Sequence, residues 1–171
     1  MSVLAEALSV LVRNPMLDEH YPGGVEGFAR DCPNASFCSD GRISRVGFLS
    51  PRDTRFFLGV LEACGLHWSE GARLPEVAIV DQNLGLLHPC LWVEFGRVGD
   101  GIPICWHAAH RPGRLVVPLG WRPEQSEGFE SASDVPFPRL MRFLRTEDRV
   151  DWYQNRRTGE LLCIDSPFVT H

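Results

Sequence analysis

The sequence contains no lysine, because all 17 of its basic residues are arginine. The chain therefore cannot form a lysine Schiff base with a carbonyl substrate, and it cannot hold a nucleotide with a phosphate-loop lysine. A GC-rich genome, in which arginine codons replace lysine codons, is the simpler explanation of this composition. Selection against lysine, as in toxins that escape ubiquitin tagging, is the alternative.

Long apolar runs are also missing, so the sequence predicts no membrane span and no membrane partner. Residues 3–12 are apolar, but they lack a basic flank and a small-residue cleavage site, which predicts a helix and not a signal peptide. Six cysteines without an export signal indicate reduced thiols, and hence a cytoplasmic protein. We expect residues 1–171 to form a single globular domain.

Helix signals occur in four places. Ser2 can cap a helix that ends near Asn14-Pro15, and a short helix should follow Gly23-Gly24. The clearest helix begins after Ser50, with Pro51 in its first position, and ends at Gly65. Its predicted buried stripe consists of Phe56, Phe57, Val60, Leu61 and Cys64. A fourth helix is predicted from Pro138, carrying Leu140, Met141, Phe143 and Leu144.

Strand signals fall between the predicted helices and are mostly hairpins. Asp40-Gly41 predicts a tight turn within residues 37–48. The other predicted strands cover residues 77–80, 86–98, 102–109, 115–119, 150–153 and 160–164. Hairpins interrupted by helices, without regular alternation, predict an α+β fold: a mostly antiparallel sheet packed with three to four helices.

The central hairpin, residues 86–109, carries the residues best suited to chemistry. A two-residue turn at Gly99-Asp100 or Asp100-Gly101 fixes which side chains share a face. The predicted core face consists of Leu91, Val93, Phe95, Ile104, Trp106 and Ala108. The predicted mixed face consists of His88, Cys90, Trp92, Glu94, Cys105 and His107.

The mixed face suggests two kinds of site. An enzyme or ligand-binding domain would use Asp81, Glu94, Cys105 and His107. A metal would be bound by His88, Cys90, Cys105 and His107, which are zinc-type ligands. The spacings match no paired zinc knuckle, so we expect no metal and no cofactor.

Other residues suggest a protein-binding surface. Trp92 and Trp121 are candidate anchors, since tryptophan is enriched at interface hot spots. Residues 122–136 have the composition of a mobile surface loop, and Glu124, Glu127 and Glu130 within it could steer a basic partner. The arginines near residues 139–157 are interleaved with acidic residues, so we expect no nucleic-acid binding.

Four stretches carry a family resemblance. The two longest read Arg45-Val-Gly-Phe-Leu-Ser-Pro-Arg-Asp53 and Pro89-Cys-Leu-Trp-Val-Glu-Phe-Gly-Arg97. With Leu61-Glu-Ala-Cys-Gly-Leu66 and Val80-Asp-Gln82, they resemble small stand-alone bacterial proteins similar to the immunity proteins of polymorphic toxin systems. The resemblance covers about half of the chain and carries no catalytic motif. It implies an antidote that occludes a toxin, whereas the mixed face leaves a small enzyme as the alternative.

Overall fold

The structure is a computed structural model. It describes residues 1–68, 75–99, 101–121, 141–148, 150–155, 159 and 161–165. These residues form an α+β fold of two mostly antiparallel sheets and three helices, as the sequence predicts. The helices are α1 (Asn14–His20), α2 (Gly24–Arg30) and α3 (Pro51–Ala63). The strands are β1 (Ser2–Leu4), β2 (Leu8–Arg13), β3 (Cys38–Ser39), β4 (Ile43–Phe48), β5 (Val77–Asp81), β6 (Gly85–Leu86), β7 (Val93–Val98), β8 (Ile102–His107), β9 (Leu115–Val116), β10 (Met141–Glu147), β11 (Val150–Asn155) and β12 (Leu161–Asp165).

The strands are divided between a five-stranded and a seven-stranded sheet. The five-stranded sheet has the order β3-β4-β2-β5-β6, and all its pairings are antiparallel. The seven-stranded sheet has the order β10-β11-β12-β9-β1-β8-β7. Its strand β9 pairs in parallel with both β1 and β12, which joins the N-terminal and C-terminal parts of the chain.

The prediction of a helix at residues 2–13 is wrong, because this segment forms β1 and β2. Its aliphatic residues are buried on both sides of the strands, including Leu4, Val10 and Leu11. Such a run fits a strand covered on both faces as well as it fits a helix, and length alone does not separate the two. Between the strands, Ala7 has a φ of 56° and turns the chain from one sheet to the other.

Three apolar layers result from this arrangement. The helices cover one side of the five-stranded sheet, where Phe28 and Phe57 pack against strand residues such as Val46. The other side of that sheet faces the seven-stranded sheet across a second layer, here called the inter-sheet layer. It consists of Val3, Ala5, Leu11, Cys38, Ile43, Ala78, Val80, Trp92, Val93, Cys105 and Val116. The third layer lies on the far side of the seven-stranded sheet, around Ile104 and Tyr153.

The predicted C-terminal helix is also wrong where the structure describes it. Residues 141–147 form β10, which pairs antiparallel with β11. The apolar residues at positions 141 and 143 fit a two-residue period as well as a helical one, and pairing with the adjacent hairpin decides between them. Residues 138–140 and the predicted loop at 122–136 lie outside the described residues.

Several other predicted elements are confirmed, whereas only Leu115–Val116 of the predicted strand 115–119 and Val93–Val98 of the long predicted strand 86–98 pair in the seven-stranded sheet. The hairpin around Asp40-Gly41, the strand ending at Asp81, the short helix after Gly23 and the last hairpin are all present. Ser50 caps α3 as predicted, since its Oγ accepts a hydrogen bond from the Asp53 amide at 3.2 Å. None of the described helices is both long and apolar enough to cross a membrane.

Candidate functional site

The central hairpin has a different register from the predicted one. Val98 pairs with Ile102, so three residues form the turn, and the predicted two-residue turn is wrong. Gly99 and Gly101 both have positive φ, of 56° and 118°, which lets this longer turn form. An odd number of turn residues changes which side chains share a face. Cys105 therefore lies beside Phe95, on the face opposite Trp106.

This register separates the residues of the predicted enzyme site. Cys105 faces the inter-sheet layer and is fully buried, whereas Glu94 is exposed on the opposite face. The Asp81 carboxylate forms hydrogen bonds within its own turn, since its Oδ1 accepts from the amides of Asn83 at 2.7 Å and Leu84 at 3.0 Å. The structure therefore does not bring Asp81, Glu94, Cys105 and His107 together as a catalytic set.

The predicted metal ligands are not gathered either. Among the described residues, no group of three or more histidine, cysteine or acidic side chains is placed to hold a metal ion. His88 instead lies beside the Trp68 ring, with 5.4 Å between the ring centroids. Cys90 is half-buried, and burial raises its pKa, although the amides of Trp92 and Val93 and the Arg13 guanidinium act in the opposite direction.

A buried guanidinium occupies the inter-sheet side of β4. Arg45 is 2% exposed and donates hydrogen bonds to Ser9 Oγ at 3.0 Å, to the Ser36 carbonyl at 3.0 Å and to the Glu6 carbonyl at 2.6 Å. Burial lowers the pKa of Arg45. These bonds tie β4 to β2 and to the segments before β2 and β3, so the role of Arg45 is structural.

Two thiols lie close to this guanidinium. Burial raises the pKa of Cys38 to about 11 and that of Cys105 to about 12, while Arg45 acts in the opposite direction. Thiols with such values remain protonated near neutral pH, and only the thiolate is a strong nucleophile. Cys105 is therefore a core residue in this structure and is not placed as a catalytic thiol.

The predicted anchor Trp92 is buried, so that prediction needs correction. Its side chain is 7% exposed, and its Nε1 donates a hydrogen bond to the Pro75 carbonyl at 2.8 Å. Trp121 is half-buried, and its Nε1 donates to Glu6 Oε2 at 3.0 Å. Glu124, Glu127 and Glu130 lie outside the described residues.

Basic side chains gather where the inter-sheet layer ends. The guanidinium of Arg13, at the end of β2, lies 5.6 Å from the centroid of the Trp92 ring. The rings of His107 and His110 lie 5.5 Å apart. Arg42 lies in the β3–β4 turn, and its carbonyl accepts a hydrogen bond from the amide of Asn14, the residue after Arg13. We call Arg13, Arg42, His107 and His110 the basic end.

The pKa of His107 reflects these neighbours. It is lowered first by burial and then by His110 and Arg13, with Arg42 adding a smaller effect in the same direction and Asp40 opposing it. The amide of Ala109 donates to His107 Nδ1 at 3.2 Å, so the neutral ring carries its proton on Nε2. His107 is thus a neutral hydrogen-bond donor near pH 7.

A second surface is the outward side of α3. The helix buries Thr54, Phe57, Leu58 and Leu61. Phe56 is 77% exposed and Val60 is 37% exposed, so the prediction that both belong to the buried stripe is wrong. They lie one turn apart, and the exposed residues Gly59 and Ala63 extend the same side. We call these four residues the outer face of α3.

Sequence reasoning missed Arg13, Arg42 and Arg45 as site or core residues. The predicted N-terminal helix placed Arg13 at a helix end, where a basic residue is common. The sequence did contain a signal that Arg45 is buried. In the strand predicted within residues 37–48, alternation places Arg45 on the same side as Ile43, which is buried. A charged residue on a buried side usually has a specific set of partners.

The chain was compared with known proteins in three ways. No family model, no curated protein and no solved structure matches it.

Proposed function

We propose that this protein works by binding another protein, and that it is an immunity-type antidote that occludes a toxin. The observation that carries the proposal is the exposure of Phe56, a large aromatic side chain on a helix whose opposite side is buried. Exposed apolar rows of this kind are typical of interaction surfaces, because leaving them in water is unfavourable.

The outer face of α3 has the geometry of a small docking surface. Phe56 and Val60 supply apolar area, and Gly59 has open space around its Cα, which allows a partner side chain to approach the helix backbone. The exposed Leu49, just before the helix, adds apolar area near its first turn. An aromatic anchor beside a glycine fits the pattern of a hot spot surrounded by smaller contacts.

Charge favours a basic partner. The whole chain has a formal net charge of −5, which attracts basic proteins over a distance set by the salt concentration. The charged residues of α3 balance one another, with Arg52 and Arg55 against Asp53 and Glu62. We therefore assign the electrostatic attraction of a basic partner to other parts of the chain, such as the acidic residues Glu124, Glu127 and Glu130.

The enzyme alternative loses support from the positions of its candidate residues. Cys105 is buried as a neutral thiol, and Glu94 lies on the other face of the hairpin. Asp81 is engaged by its own turn. A protein-binding role needs none of these residues to converge, and it is the proposal we retain.

The test is complex formation with the product of the neighbouring gene, which the proposal expects to be the toxin domain. The two purified proteins should elute together in gel filtration, and the complex should lack the activity of the free toxin domain. As a control, an unrelated basic protein of similar size should elute separately. If the toxin domain elutes alone and stays active at micromolar concentrations of both proteins, the proposal is wrong.

A further inference from the structure

We propose that the basic end, formed by Arg13, Arg42, His107 and His110, is a binding site for a tetrahedral oxyanion of the phosphate or sulfate type. The site is distinct from the outer face of α3 and does not depend on the proposed function.

The four basic groups come from separate parts of the chain, and the described residues supply no acidic partner for them. They belong to the end of β2, the β3–β4 turn, the end of β8 and the segment that follows it. Within the described residues, no carboxylate forms an ion pair with any of them. The nearby carboxylate of Asp40 is 7% exposed, and its Oδ1 accepts from the amides of Arg42 and Ile43, both at 2.8 Å. In the part of the chain that the structure describes, no acidic group is therefore bound to the positive charge at this end.

Arg13 has a donor without an acceptor. Its Nε is buried, and no group in the described part of the chain accepts its hydrogen. Buried polar groups nearly always have a partner, so an orphaned donor beside other donors points to an acceptor from outside the chain. The Trp92 ring lies against the guanidinium and restricts its orientation, which lowers the entropy cost of binding.

The histidines add directed donors. Because the Ala109 amide donates to Nδ1 of His107, the neutral ring offers Nε2–H to a ligand. An anion bound here also favours the protonated form of the His107 ring and therefore raises its pKa. This effect opposes that of burial and of the basic neighbours, which lower the pKa of His107. Arg13, His110 and Arg42 lower this pKa, and Asp40 raises it.

The set of donors favours a tetrahedral anion over a carboxylate. Two guanidiniums and two imidazoles from four segments can approach from several directions, as the oxygens of phosphate require. Trp92 is buried beneath Arg13 and leaves no aromatic face for a nucleobase. The contacts therefore recognise the anionic group itself, either as free phosphate or as the phosphate of a small phosphomonoester.

The test is a titration of the whole protein with sulfate, followed by nuclear magnetic resonance of the histidine rings. Sulfate stays doubly charged between about pH 5 and about pH 8, so only the protein titrates. We expect saturable shifts of the His107 and His110 rings and a rise in the pKa of His107 when sulfate is bound. Acetate at matched ionic strength is the control for screening. Parallel titrations with inorganic phosphate and glycerol phosphate distinguish a free anion from a phosphomonoester, and saturable binding of either supports the site.

Variants make the test specific. Arg42→Gln and His110→Gln change exposed side chains, and each should weaken sulfate binding by roughly 5-fold or more. Arg55→Gln removes the same charge from the distant helix α3 and should leave the affinity unchanged. The proposal is overturned if the ring shifts do not saturate, if acetate reproduces them, or if Arg42→Gln and Arg55→Gln weaken binding equally.

Discussion

The Nη2 group of Arg45 donates a hydrogen bond to the carbonyl of Glu6 at 2.6 Å and thereby fixes the corner between the two sheets. Glu6 directly precedes Ala7, whose positive φ turns the chain from β1 to β2. With its bonds to Ser9 and Ser36, the guanidinium satisfies acceptors in three segments of the chain.

Replacing Arg45 should therefore be costly. Arg45→Met keeps much of the volume but removes the donor to Ser9 Oγ and to the Ser36 carbonyl, and leaves the Glu6 carbonyl with its bond from Ser9 Oγ. We expect it to lower the free energy of unfolding by roughly 3–5 kcal/mol. Urea denaturation monitored by tryptophan fluorescence measures the change. Arg42→Met, at an exposed position in the turn before β4, is the matched control and should cost less than about 0.5 kcal/mol. Equal effects of the two substitutions would mean that the buried bonds do not hold the corner.

Gly96 provides a test of the hairpin register. A Cβ at this position would lie 3.0 Å from Cη2 and 3.1 Å from Cζ3 of Trp106. Gly96→Ala should thus lower the free energy of unfolding by roughly 1 kcal/mol, although alanine is otherwise better than glycine in a strand. The penalty should disappear in the presence of Trp106→Leu, which a double-mutant cycle measures. If Gly96→Ala raises stability while Trp106 is intact, the two residues do not face each other.

The sequence was most informative where turn and cap residues decide the structure. Asp40-Gly41 and Ser50-Pro51 determine their hairpin and helix through local backbone preferences, and both elements are present. Residues 2–13 were mispredicted because burial on both sides of a strand removes the alternation that distinguishes it from a helix. The prediction of the candidate site was wrong because the hairpin turn has one more residue than predicted. This residue places Cys105 on the face of the hairpin opposite Glu94.

The basic end could not be predicted from sequence at all. Its members lie up to about a hundred positions apart and meet only because the two sheets pack face to face. No local pattern marks Arg13 as a neighbour of His107. Side chains that converge through sheet packing become visible only when the pairing of β1 with β8 and of β2 with β4 is known.

The buried thiols predict how stability depends on pH. The pKa values of Cys38 and Cys105 are raised in the folded protein, from 9.0 to about 11 and about 12. Between pH 9.0 and the pKa values of the folded protein, the thiols lose their protons in the unfolded chain but keep them in the folded chain. The stability is therefore fully present below pH 9.0 and falls as the pH rises toward the pKa values of the folded protein. Each thiol should lower the free energy of unfolding by about 1 kcal/mol between about pH 8 and about pH 10.

Urea denaturation at the two pH values measures this loss. Cys105→Val removes one of the two titrating thiols. The loss of unfolding free energy that Cys38 and Cys105 cause together should therefore fall by about half. The variant Asp53→Asn changes an exposed side chain and leaves both thiols in place, so it should leave the pH dependence unchanged. Stability that stays constant from about pH 8 to about pH 10 would contradict the burial of these thiols.

The acidic residues at 124–130 predict the kinetics of binding. Replacing Glu124, Glu127 and Glu130 with Gln should slow association with a basic toxin domain and weaken its dependence on salt. Dissociation and folding stability should change little. Surface plasmon resonance at several salt concentrations separates the two rates. A triple variant that associates as fast as the unmodified protein would assign the steering charge to another part of the surface.

The most direct test of the protein-binding proposal compares two equally exposed apolar side chains. Phe56, on the outer face of α3, is 77% exposed, and Leu84, in the turn after β5, is 79% exposed. Calorimetric titration with the product of the neighbouring gene, the proposed partner, should show that Phe56→Ser weakens binding by roughly 30-fold, or about 2 kcal/mol, because an aromatic anchor is lost. Leu84→Ser should leave the affinity unchanged. A complex that tolerates Phe56→Ser as well as Leu84→Ser, or the absence of any complex, would contradict the account.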